Sequence, residues 1–260
     1  MWRRSEPRLN RVNYDTSQNI KGLPAAAWRA LLDDAHGGGP PSEHPLYSPL
    51  LAERAQRPFV YAHLAQSLDG RIALEGGESQ WISGPADLDH THRLRALADA
   101  VMVGAHTVTV DNPRLTVRRV PGPSPQRVVL DPSLRLRTDH LVFQDRGAWR
   151  ICRSDAPGEA ADAMRLPGGA AGLNPAAILA LLHARGIRRL FIEGGAVTIS
   201  RFLAAGCIDR LHLVVSPVLL GSGRASIQLS PLTSLTEAHR PEVKVFPLGR
   251  DTLFDCSFDD

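Results

Sequence analysis

The sequence predicts an α/β protein with a mainly parallel mixed sheet that helices cover. From residue 58 onward, short apolar runs of strand length alternate with stretches of helix length. Strands that are joined through helices run parallel, which gives a sheet covered on both faces. The tail "EVKVFPLGRDTLFDCSF" (residues 242–258) instead has the pattern of a closing hairpin. We therefore expect a C-terminal antiparallel hairpin at the edge of the sheet.

Residues 1–57 are predicted to be an N-terminal extension that is partly helical. The stretch "LPAAAWRALLDDA" (23–35) starts at a proline and places Ala27, Leu31 and Leu32 on one face, which indicates a helix. The following "HGGGPPSEHP" ends it. The sequence assigns no task to this extension. A packing arm, or the remnant of a longer ancestor, is the interpretation that we favour.

Residues 58–260 are predicted to form one domain of alternating strands and helices. The predicted helices are 83–100, with Ser83 as N-cap and Pro85 in the first turn, 174–186, between an Asn174 cap and a Gly186 stop, and 196–206. The predicted strands are "FVYAHLA" (59–65), "AVMVGA" (100–105), "RVVLD" (127–131), "AWRIC" (148–152), "RRLFIEGG" (188–195) and "IDRLHLVVSPVLL" (208–220).

The composition argues against nucleic-acid and membrane proteins. Only Lys21 and Lys244 of the 30 basic residues are lysines, and the arginines are scattered among acids at a net charge of +3. No basic block suggests a nucleic-acid surface. No apolar run approaches the roughly 20 residues that cross a bilayer, and no apolar segment follows the charged N-terminus. We expect a cytoplasmic protein.

The cysteines predict neither a disulfide framework nor a zinc site. Cys152, Cys207 and Cys256 are odd in number and far apart, and no CxxC or Cys/His ligand spacing occurs. This usage fits a reducing compartment. We expect no structural metal.

The first candidate site is "FIEGGAVTISRFL" (191–203), where two glycines separate a strand from a helix. Glycine permits close approach and positive φ, and the free N–H groups of a helix start attract a phosphate. A tight turn with good packing fits the glycines equally well. Glu193 favours a ligand, because a carboxylate at the end of a buried strand needs a partner. A ligand hydroxyl or N–H would serve, and so would an arginine elsewhere in the chain.

The second candidate is "VGAHTVTVDNPRLTVR" (103–118), which contains Thr107, Asp111 and Arg118. The Arg118 fork could hold a phosphate, although a lone arginine is more often a solvated surface residue. The stretch "GSGRAS" (221–226) lacks the third glycine of a dinucleotide fingerprint. No nucleophile elbow, P-loop, HExxH or zinc-deaminase signature occurs. The residues alone thus indicate a nucleotide-binding α/β protein.

The stretches "HLAQSLDGRIA…GESQWISG", "LRALADAVMVGAHTVTVDNPRLTVR", "RVVLD" and "FIEGGAVTISRFLAAGCIDRLHLVVSPVLLG" occur in this order. Together they resemble the reductase domain of riboflavin biosynthesis, the RibD C-terminal domain, from about residue 58 to the C-terminus. The resemblance implies a dihydrofolate-reductase-like fold and a homodimer. It also implies reduction of 5-amino-6-(5-phosphoribosylamino)uracil by NADPH, with hydride delivered to C1′ after ring opening to an imine-like form.

The resemblance assigns roles to individual residues. Glu193 and His63 would be catalytic, and the substrate would contact Ser79, Arg95, Leu115, Arg118 and Glu193. NADPH would be held by Ala65, Trp81, Gly104, Thr107, Asp111, Gly194, Gly195, Ala196, Val197 and Thr198, with the helix continuing to Arg201.

Two features depart from the family's pattern. His63 stands where many members carry a substrate-binding lysine, and histidine is mostly neutral at pH 7 unless a carboxylate raises its pKa. Glu193 would supply that carboxylate if it lies opposite. Residues 1–57 are also too short for the zinc deaminase domain that many bacterial members carry, so we expect reduction without deamination.

Two alternatives remain open. One is an NADPH reductase of the same fold that acts on another pyrimidine, a pterin or a flavin-like substrate, as His63 and the extension allow. The other is a non-catalytic nucleotide-binding scaffold. It is disfavoured by the combined presence of Ser79, Trp81, Thr107, Asp111, Arg118 and Glu193. A preference for NADPH over NADH follows from the resemblance only, because no residue of the sequence identifies itself as the 2′-phosphate ligand.

Overall fold

The computed structural model describes residues 12–14, 23–80, 82–145, 147–169 and 172–258. Its centre is a ten-stranded sheet in the order β1-β13-β14-β11-β2-β10-β4-β5-β6-β7. These strands are β1 (Val12–Tyr14), β2 (Phe59–Ser67), β4 (Ala100–Gly104), β5 (Gln126–Leu130), β6 (Trp149–Arg153), β7 (Ala163–Leu166), β10 (Arg189–Glu193), β11 (Arg210–Ser216), β13 (Glu242–Leu248) and β14 (Asp251–Ser257). Two small sheets pair β3 (Arg71–Ala73) with β12 (Arg224–Ala225) and β8 (Gly168–Gly169) with β9 (Gly172–Leu173).

The pairing confirms the mainly parallel mixed sheet. The strands from β11 to β7 are parallel neighbours, while β14 runs antiparallel to both β11 and β13. The hairpin is not the edge, however, because β1 pairs in parallel with β13. The predicted strand 208–220 is also too long, since β11 ends at Ser216.

Among the described residues, five helices cover the sheet: α1 (Ala25–Ala35), α2 (Pro85–Leu97), α3 (Ala105–Asp111), α4 (Pro175–Ala184) and α5 (Ala196–Ala204). Short 3-10 turns occur at Ser48–Leu51, Leu141–Phe143 and Leu235–Glu237. Side chains of α1, α2 and α3 share one buried cluster with Tyr61 and Phe191 of the sheet. Side chains of α4 and α5 share a second cluster, on the other face, with Val60 and Ile192.

Two of the three predicted helix-end residues are confirmed, and one is wrong. Asn174 Oδ1 accepts the N–H of Ala176 at 2.9 Å, and Gly186, at φ +85°, follows the end of α4. Ser83 is not the cap of α2. Gly84 occupies that position without a side-chain cap, and its N–H donates to Asp251 Oδ2 at 2.7 Å. The buried carboxylate of Asp251, from β14, thus takes a donor from the chain that enters α2.

The described part of the N-terminal extension packs on the main domain. Trp28, Leu31, Tyr47 and Leu50 are buried in the cluster that also holds Tyr61. The indole Nε1 of Trp28 donates to a main-chain carbonyl, that of residue 121, at 2.9 Å. Residues 23–57 therefore contribute to the core, whereas 1–11 and 15–22 lie outside the described residues.

The three cysteines are free and buried. Burial raises the pKa of each thiol, that of Cys256 to about 12. Within the described ranges, no group of three or more His, Cys, Asp or Glu side chains could hold a metal ion. Among the same residues, no helix has the length and apolarity to cross a membrane.

Candidate active site

A cavity of about 690 Å³ opens where β2, β10, β4 and β5 end. These four strands are parallel neighbours, so their carboxyl ends meet at one edge of the sheet, where ligands of α/β proteins bind. His63 and Ala65 of β2, Gly104 of β4, Leu130 of β5 and Glu193 of β10 all line the cavity. Its volume falls within the range of small-molecule sites.

Most of the predicted site residues lie at this cavity. They are His63, Ala65, Ser79, Arg95, Gly104, Thr107, Asp111, Glu193, Gly194, Gly195, Ala196, Val197 and Thr198, with Arg201 further along α5. Leu115 and Arg118 are not among its lining residues. Leu115 is 1% exposed and packs in the core with φ +55°, and Arg118 Nη1 donates to Thr116 Oγ1 at 2.6 Å. Trp81 lies outside the described residues.

The turn before α5 brings two chain segments close together. Gly194 and Gly195 adopt φ values of +59° and +75°. A Cβ on Gly195 would lie 3.1 Å from Thr107 Oγ1, and a Cβ on Gly104 would lie 2.9 Å from Thr198 Oγ1. A Cβ on Gly194 would meet no atom within 4 Å. The turn thus serves packing on one side and leaves the first residues of α5 open to the cavity on the other.

The sequence did not identify the partner of the Glu193 carboxylate. In the structure this partner is Arg95. Its Nε and Nη2 donate to the two carboxylate oxygens at 2.6 and 2.5 Å, and its Nη1 donates to Thr116 O at 2.9 Å. Both side chains are largely buried. Because the two charges offset each other, the pair presents a fixed polar surface to the cavity and leaves no free phosphate-binding cation at Arg95.

The carboxylate that pairs with His63 is Asp87. Glu193 lies opposite His63 in the strand register, as the sequence suggested, but Arg95 holds it. His63 Nε2 instead hydrogen-bonds Asp87 Oδ1 at 2.7 Å, and both side chains are buried. Burial alone would lower the pKa of His63, but the charge and hydrogen bond of Asp87 outweigh it, so this pKa is raised. The cavity wall therefore carries an imidazole that holds its proton more strongly than a free histidine does.

A chain of buried polar side chains continues behind His63. The Tyr47 hydroxyl lies 2.9 Å from His90 Nδ1, and His90 Nε2 lies 3.0 Å from His212 Nδ1. Burial lowers the pKa of both histidines, that of His90 strongly. The sequence patterns did not predict this network. The spacing of Asp87, His90 and Leu94 on one face of α2 could have indicated it, since all three are buried.

His92 organises the loop that carries Leu115 and Arg118. Its Nδ1 accepts the Arg118 N–H at 2.9 Å. Burial, together with Arg95 and Arg118, lowers the pKa of His92 to about 4. The imidazole is therefore neutral at pH 7 and stays available as an acceptor.

Several cavity residues were not predicted. Arg135 follows β5, and Arg224 comes from β12, inside the "GSGRAS" stretch that seemed weak as a fingerprint. Arg224 Nη1 lies 2.5 Å from His106 Nε2, and both residues line the cavity. The position of Arg135 after the end of a strand could have indicated its place at the cavity. No sequence pattern could have indicated Arg224, because β12 and its partner β3 are about 150 residues apart in sequence.

The two ends of the cavity differ in chemistry. Near β2 the lining mixes apolar residues with the polar side chains of His63, Ser79 and the Arg95–Glu193 pair. Near β5 it is mostly apolar and consists of Leu130, Pro132, Leu173, Pro175 and Ile178 with Arg135. Since β5 is three strands from β2, these ends lie about 14 Å apart, with the start of α5 between them. An elongated ligand with a central anionic group would fit this arrangement.

Comparison with known proteins gives one consistent result. The family model of the RibD C-terminal domain matches residues 58–254. The 2,5-diamino-6-ribosylamino-4(3H)-pyrimidinone 5′-phosphate reductase of Methanothermobacter thermautotrophicus is 35% identical over 211 residues, which cover 76% of this chain and 97% of the relative. The riboflavin biosynthesis protein RibD of Aquifex aeolicus is 34% identical, with 76% of this chain but only 57% of the relative covered. The chain thus spans little more than half of that RibD protein.

Solved structures agree with the sequence relatives. A deaminase/5-amino-6-(5-phosphoribosylamino)uracil reductase from Thermotoga maritima superposes with a TM-score of 0.66 at 29% identity, covering 77% of this chain and 56% of that one. A riboflavin biosynthesis reductase from Saccharomyces cerevisiae gives a TM-score of 0.63 at 23% identity, covering 79% and 92%. The second likeness shows the fold alone.

Proposed function

The chain belongs to the RibD C-terminal domain family, and from that premise we propose that it uses NADPH to reduce 5-amino-6-(5-phosphoribosylamino)uracil to the ribitylamino product in riboflavin biosynthesis. Its relatives are named as reductases of this pathway. Two of them are named for 2,5-diamino-6-ribosylamino-4(3H)-pyrimidinone 5′-phosphate, which carries an amino group where the uracil carries an oxygen. We include this compound as the second substrate to test.

The observation that carries the proposal is the elongated cavity with the start of α5 at its middle. The residues fit a dinucleotide. The open N–H groups after Gly195 suit its diphosphate, and the apolar end near β5 suits its adenine. Ala65, Thr107 and Asp111 would hold the remainder, and Trp81 keeps that role from the resemblance only. When bound, the reduced nicotinamide supplies a hydride.

His63 is proposed to supply the proton that the reaction consumes. Ring opening breaks the C1′–O4′ bond of the substrate while its exocyclic nitrogen forms a double bond to C1′, and the proton of His63 passes to O4′. A hydride from a bound reduced nicotinamide would add to C1′ of this form, and the electron pair of the double bond would return to nitrogen. His63 regains its proton from solvent. Asp87 holds the imidazole in place, and its charge and hydrogen bond raise the pKa of His63 against the effect of burial.

The Arg95–Glu193 pair is proposed to position the sugar rather than its phosphate. The Glu193 oxygens retain lone pairs that can accept ribose hydroxyls, and Arg95 fixes their orientation. Arg118 keeps the role of phosphate ligand from the resemblance only. It does not line the cavity, but the charges of Arg95 and Arg114 near it make this region electropositive. Ser79 lies at the cavity and would contact the pyrimidine.

The histidine at position 63 does not require a different substrate. The Asp87 partner raises the pKa of His63, so this side chain can carry the charge that lysine carries elsewhere in the family. We therefore favour the riboflavin-pathway substrate over a pterin or flavin-like one. A homodimer and a cytoplasmic location belong to the same proposal and rest on the resemblance and the composition.

The direct test mixes the purified chain with NADPH and either pyrimidine phosphate and follows the nicotinamide absorbance. We expect NADPH oxidation that depends on one of these two substrates, with mass spectrometry identifying the ribitylamino product. NADPH binding with turnover of a pterin alone would favour the alternative substrate class. A chain that binds no reduced nicotinamide would overturn the proposal.

A further inference from the structure

Tyr47 brings a hydroxyl group from the N-terminal extension to the region behind the cavity. It lies outside residues 58–254, which the family model matches, yet it is fully buried. Its ring packs edge-on against that of Trp28, with the ring centroids 6.0 Å apart. Its hydroxyl oxygen lies 2.9 Å from Nδ1 of His90, on α2. Burial raises the pKa of Tyr47 to about 12, so the hydroxyl keeps its proton at pH 7.

The direction of the hydrogen bonds behind the cavity follows from the other end of this chain of side chains. Arg210 Nε and Nη2 donate to the buried carboxylate of Asp255 at 2.9 and 2.6 Å. Although burial opposes it, His212 and Arg210 lower the pKa of Asp255 to about 2. A carboxylate can only accept, so Nε2 of His212, which faces Asp255 Oδ1 at 3.4 Å, carries the proton of that ring.

Each neutral imidazole passes this direction to the next group. Burial lowers the pKa of His212 and of His90, so each ring carries one proton at pH 7. Since the His212 proton is on Nε2, its Nδ1 accepts from Nε2–H of His90 at 3.0 Å. Nδ1 of His90 is then also an acceptor, and the Tyr47 hydroxyl donates to it. The hydroxyl therefore occupies the nitrogen of His90 that could take a second proton.

The state of His90 matters because its ring lies against that of His63. The two ring centroids are 5.6 Å apart. A second proton on His90 would place a like charge beside His63, and like charges at this distance disfavour protonation. Asp87, which holds His63, is three residues before His90 on the same face of α2. The bond from Tyr47 thus also anchors the helix turn that carries this carboxylate.

We propose that Tyr47 is a positioning residue for the reductase site, because its hydroxyl fixes His90 against His63 and leaves His63 as the imidazole that carries the extra proton. The inference rests on the proposed function, in which His63 supplies the proton. It gives the N-terminal extension a part in the reaction through a side chain that does not line the cavity. The other titratable and charged groups around these rings are His44, Asp89 and Arg93 near Tyr47, Glu193 and Arg95 near His63, and Arg210 with Asp255 near His212.

The test compares Tyr47→Phe with the wild-type protein. This variant removes the hydroxyl but keeps the buried ring. Nδ1 of His90 loses its donor and the helix turn that carries Asp87 loses an anchor, so the protonated form of His63 becomes less favoured. The alkaline limb of the kcat/KM profile should move to lower pH by about 0.5 to 1 unit, a loss of about 3- to 10-fold on that limb. The NADPH dissociation constant should stay the same.

Tyr61→Phe is the matched control. The Tyr61 hydroxyl is equally buried and donates to the carbonyl of Leu94, also on α2, at 2.9 Å. This variant should lose comparable stability in thermal unfolding but keep the wild-type pH profile. A Tyr47→Phe profile that coincides with that of Tyr61→Phe would overturn the inference.

NMR of ¹⁵N-labelled histidine separates this inference from the proposed function, because it needs no substrate. In the wild-type protein, His90 should stay neutral with its proton on Nε2 between about pH 5 and 8. In Tyr47→Phe, the titration midpoint of His63 should fall by the same amount as the kinetic limb. An unchanged midpoint would overturn the inference. A protein that shows this shift but turns over neither pyrimidine phosphate would overturn the proposed function and leave Tyr47 as the residue that positions His63.

Discussion

His63 and Arg95 each reach the site with a carboxylate of their own. Asp87 holds the imidazole and Glu193 holds the guanidinium. Buried charges need such partners, because removal of one leaves the other uncompensated at a cost of several kcal/mol. The two pairs, His63–Asp87 and Arg95–Glu193, differ in what they can do chemically. The His63 proton can be given to a substrate, whereas the arginine cannot lose its own.

Asp87→Asn tests this division through the pH dependence of the reaction. The charged His63 is present below its pKa, so activity should fall as the pH rises past that value. Asp87 raises this pKa against the opposing effect of burial. When the charge of Asp87 is removed, the alkaline limb of the kcat/KM profile should move to lower pH by about 1 to 2 units. The measurement is a pH profile of kcat/KM for the pyrimidine phosphate substrate.

Asp89→Asn is the control for this change. Asp89 lies on the same helix but at the surface, where it pairs with the exposed Arg119. Its variant should keep the wild-type profile. Other charges around His63 stay in both variants, namely Glu193 and Arg95, while His90 and His212 are neutral behind it. An alkaline limb that stays in place in Asp87→Asn would rule out His63 as the titrating group.

Single residues also mark what the sequence could and could not predict about the site. The position of Glu193 after a buried strand showed that it needed a partner, but Arg95 is 98 residues away in the chain. Asp87 looked like a first-turn helix residue, and only the packing of α2 on β2 brings it to His63. Motif spacing identifies which residues are polar at strand ends, while tertiary packing decides how they pair.

At the scale of the elements, the start of α5 carries the cofactor proposal. Gly195→Ala should weaken NADPH binding by about tenfold or more. A left-handed residue with a Cβ costs about 1–2 kcal/mol, and relief of that strain would shift the N–H groups that receive the diphosphate. The new methyl would also press on Thr107 Oγ1 at 3.1 Å. Fluorescence titration with NADPH gives the dissociation constant, and thermal unfolding gives the change in stability.

Gly206→Ala separates strain from binding. Gly206 follows the other end of the same helix at φ +62°, and a Cβ there would meet no atom within 4 Å. We expect a comparable loss of stability with an unchanged NADPH dissociation constant. Equal weakening of NADPH binding in both variants would mean that α5 acts only through the stability of the fold.

Element length decided which parts of the fold could be predicted. The strands of five or more residues that were predicted, β2, β4, β5, β6, β10 and β11, are mostly apolar, because their central side chains are buried on both faces of the sheet. The seven residues of α3 are too few to show a helical period, and the two residues of β12 form a strand only because they meet β3. The prediction of Ser83 as the N-cap of α2 was wrong. The residue at that position, Gly84, donates its N–H to Asp251, which lies on a strand distant in sequence.

At the scale of the whole molecule, the core extends beyond the part that the family model matches. The match begins at residue 58, yet Trp28 is 5% exposed and belongs to the cluster around Tyr61. Trp28→Ala should lower the free energy of unfolding by about 3 to 5 kcal/mol, the usual cost of removing a large buried aromatic side chain. Urea unfolding followed by circular dichroism measures it.

The exposed neighbour Arg29 supplies the control. Arg29→Ala should change the free energy of unfolding by less than about 0.5 kcal/mol. A Trp28→Ala protein as stable as Arg29→Ala would mean that the extension adds nothing to the stability of the domain. The sequence predicted a packing arm here from its helix and its break, but the surface it covers on α2 and the sheet could come only from the folded chain.

The protected cysteines have a practical consequence. All three thiols are buried and hold their protons well above neutral pH, so reagents that attack thiolates find little to react with on the native surface. A cysteine introduced at an exposed position would then take a maleimide dye with no need to replace the natural ones. Placed beside the cavity mouth, such a fluorophore would report ligand entry in real time.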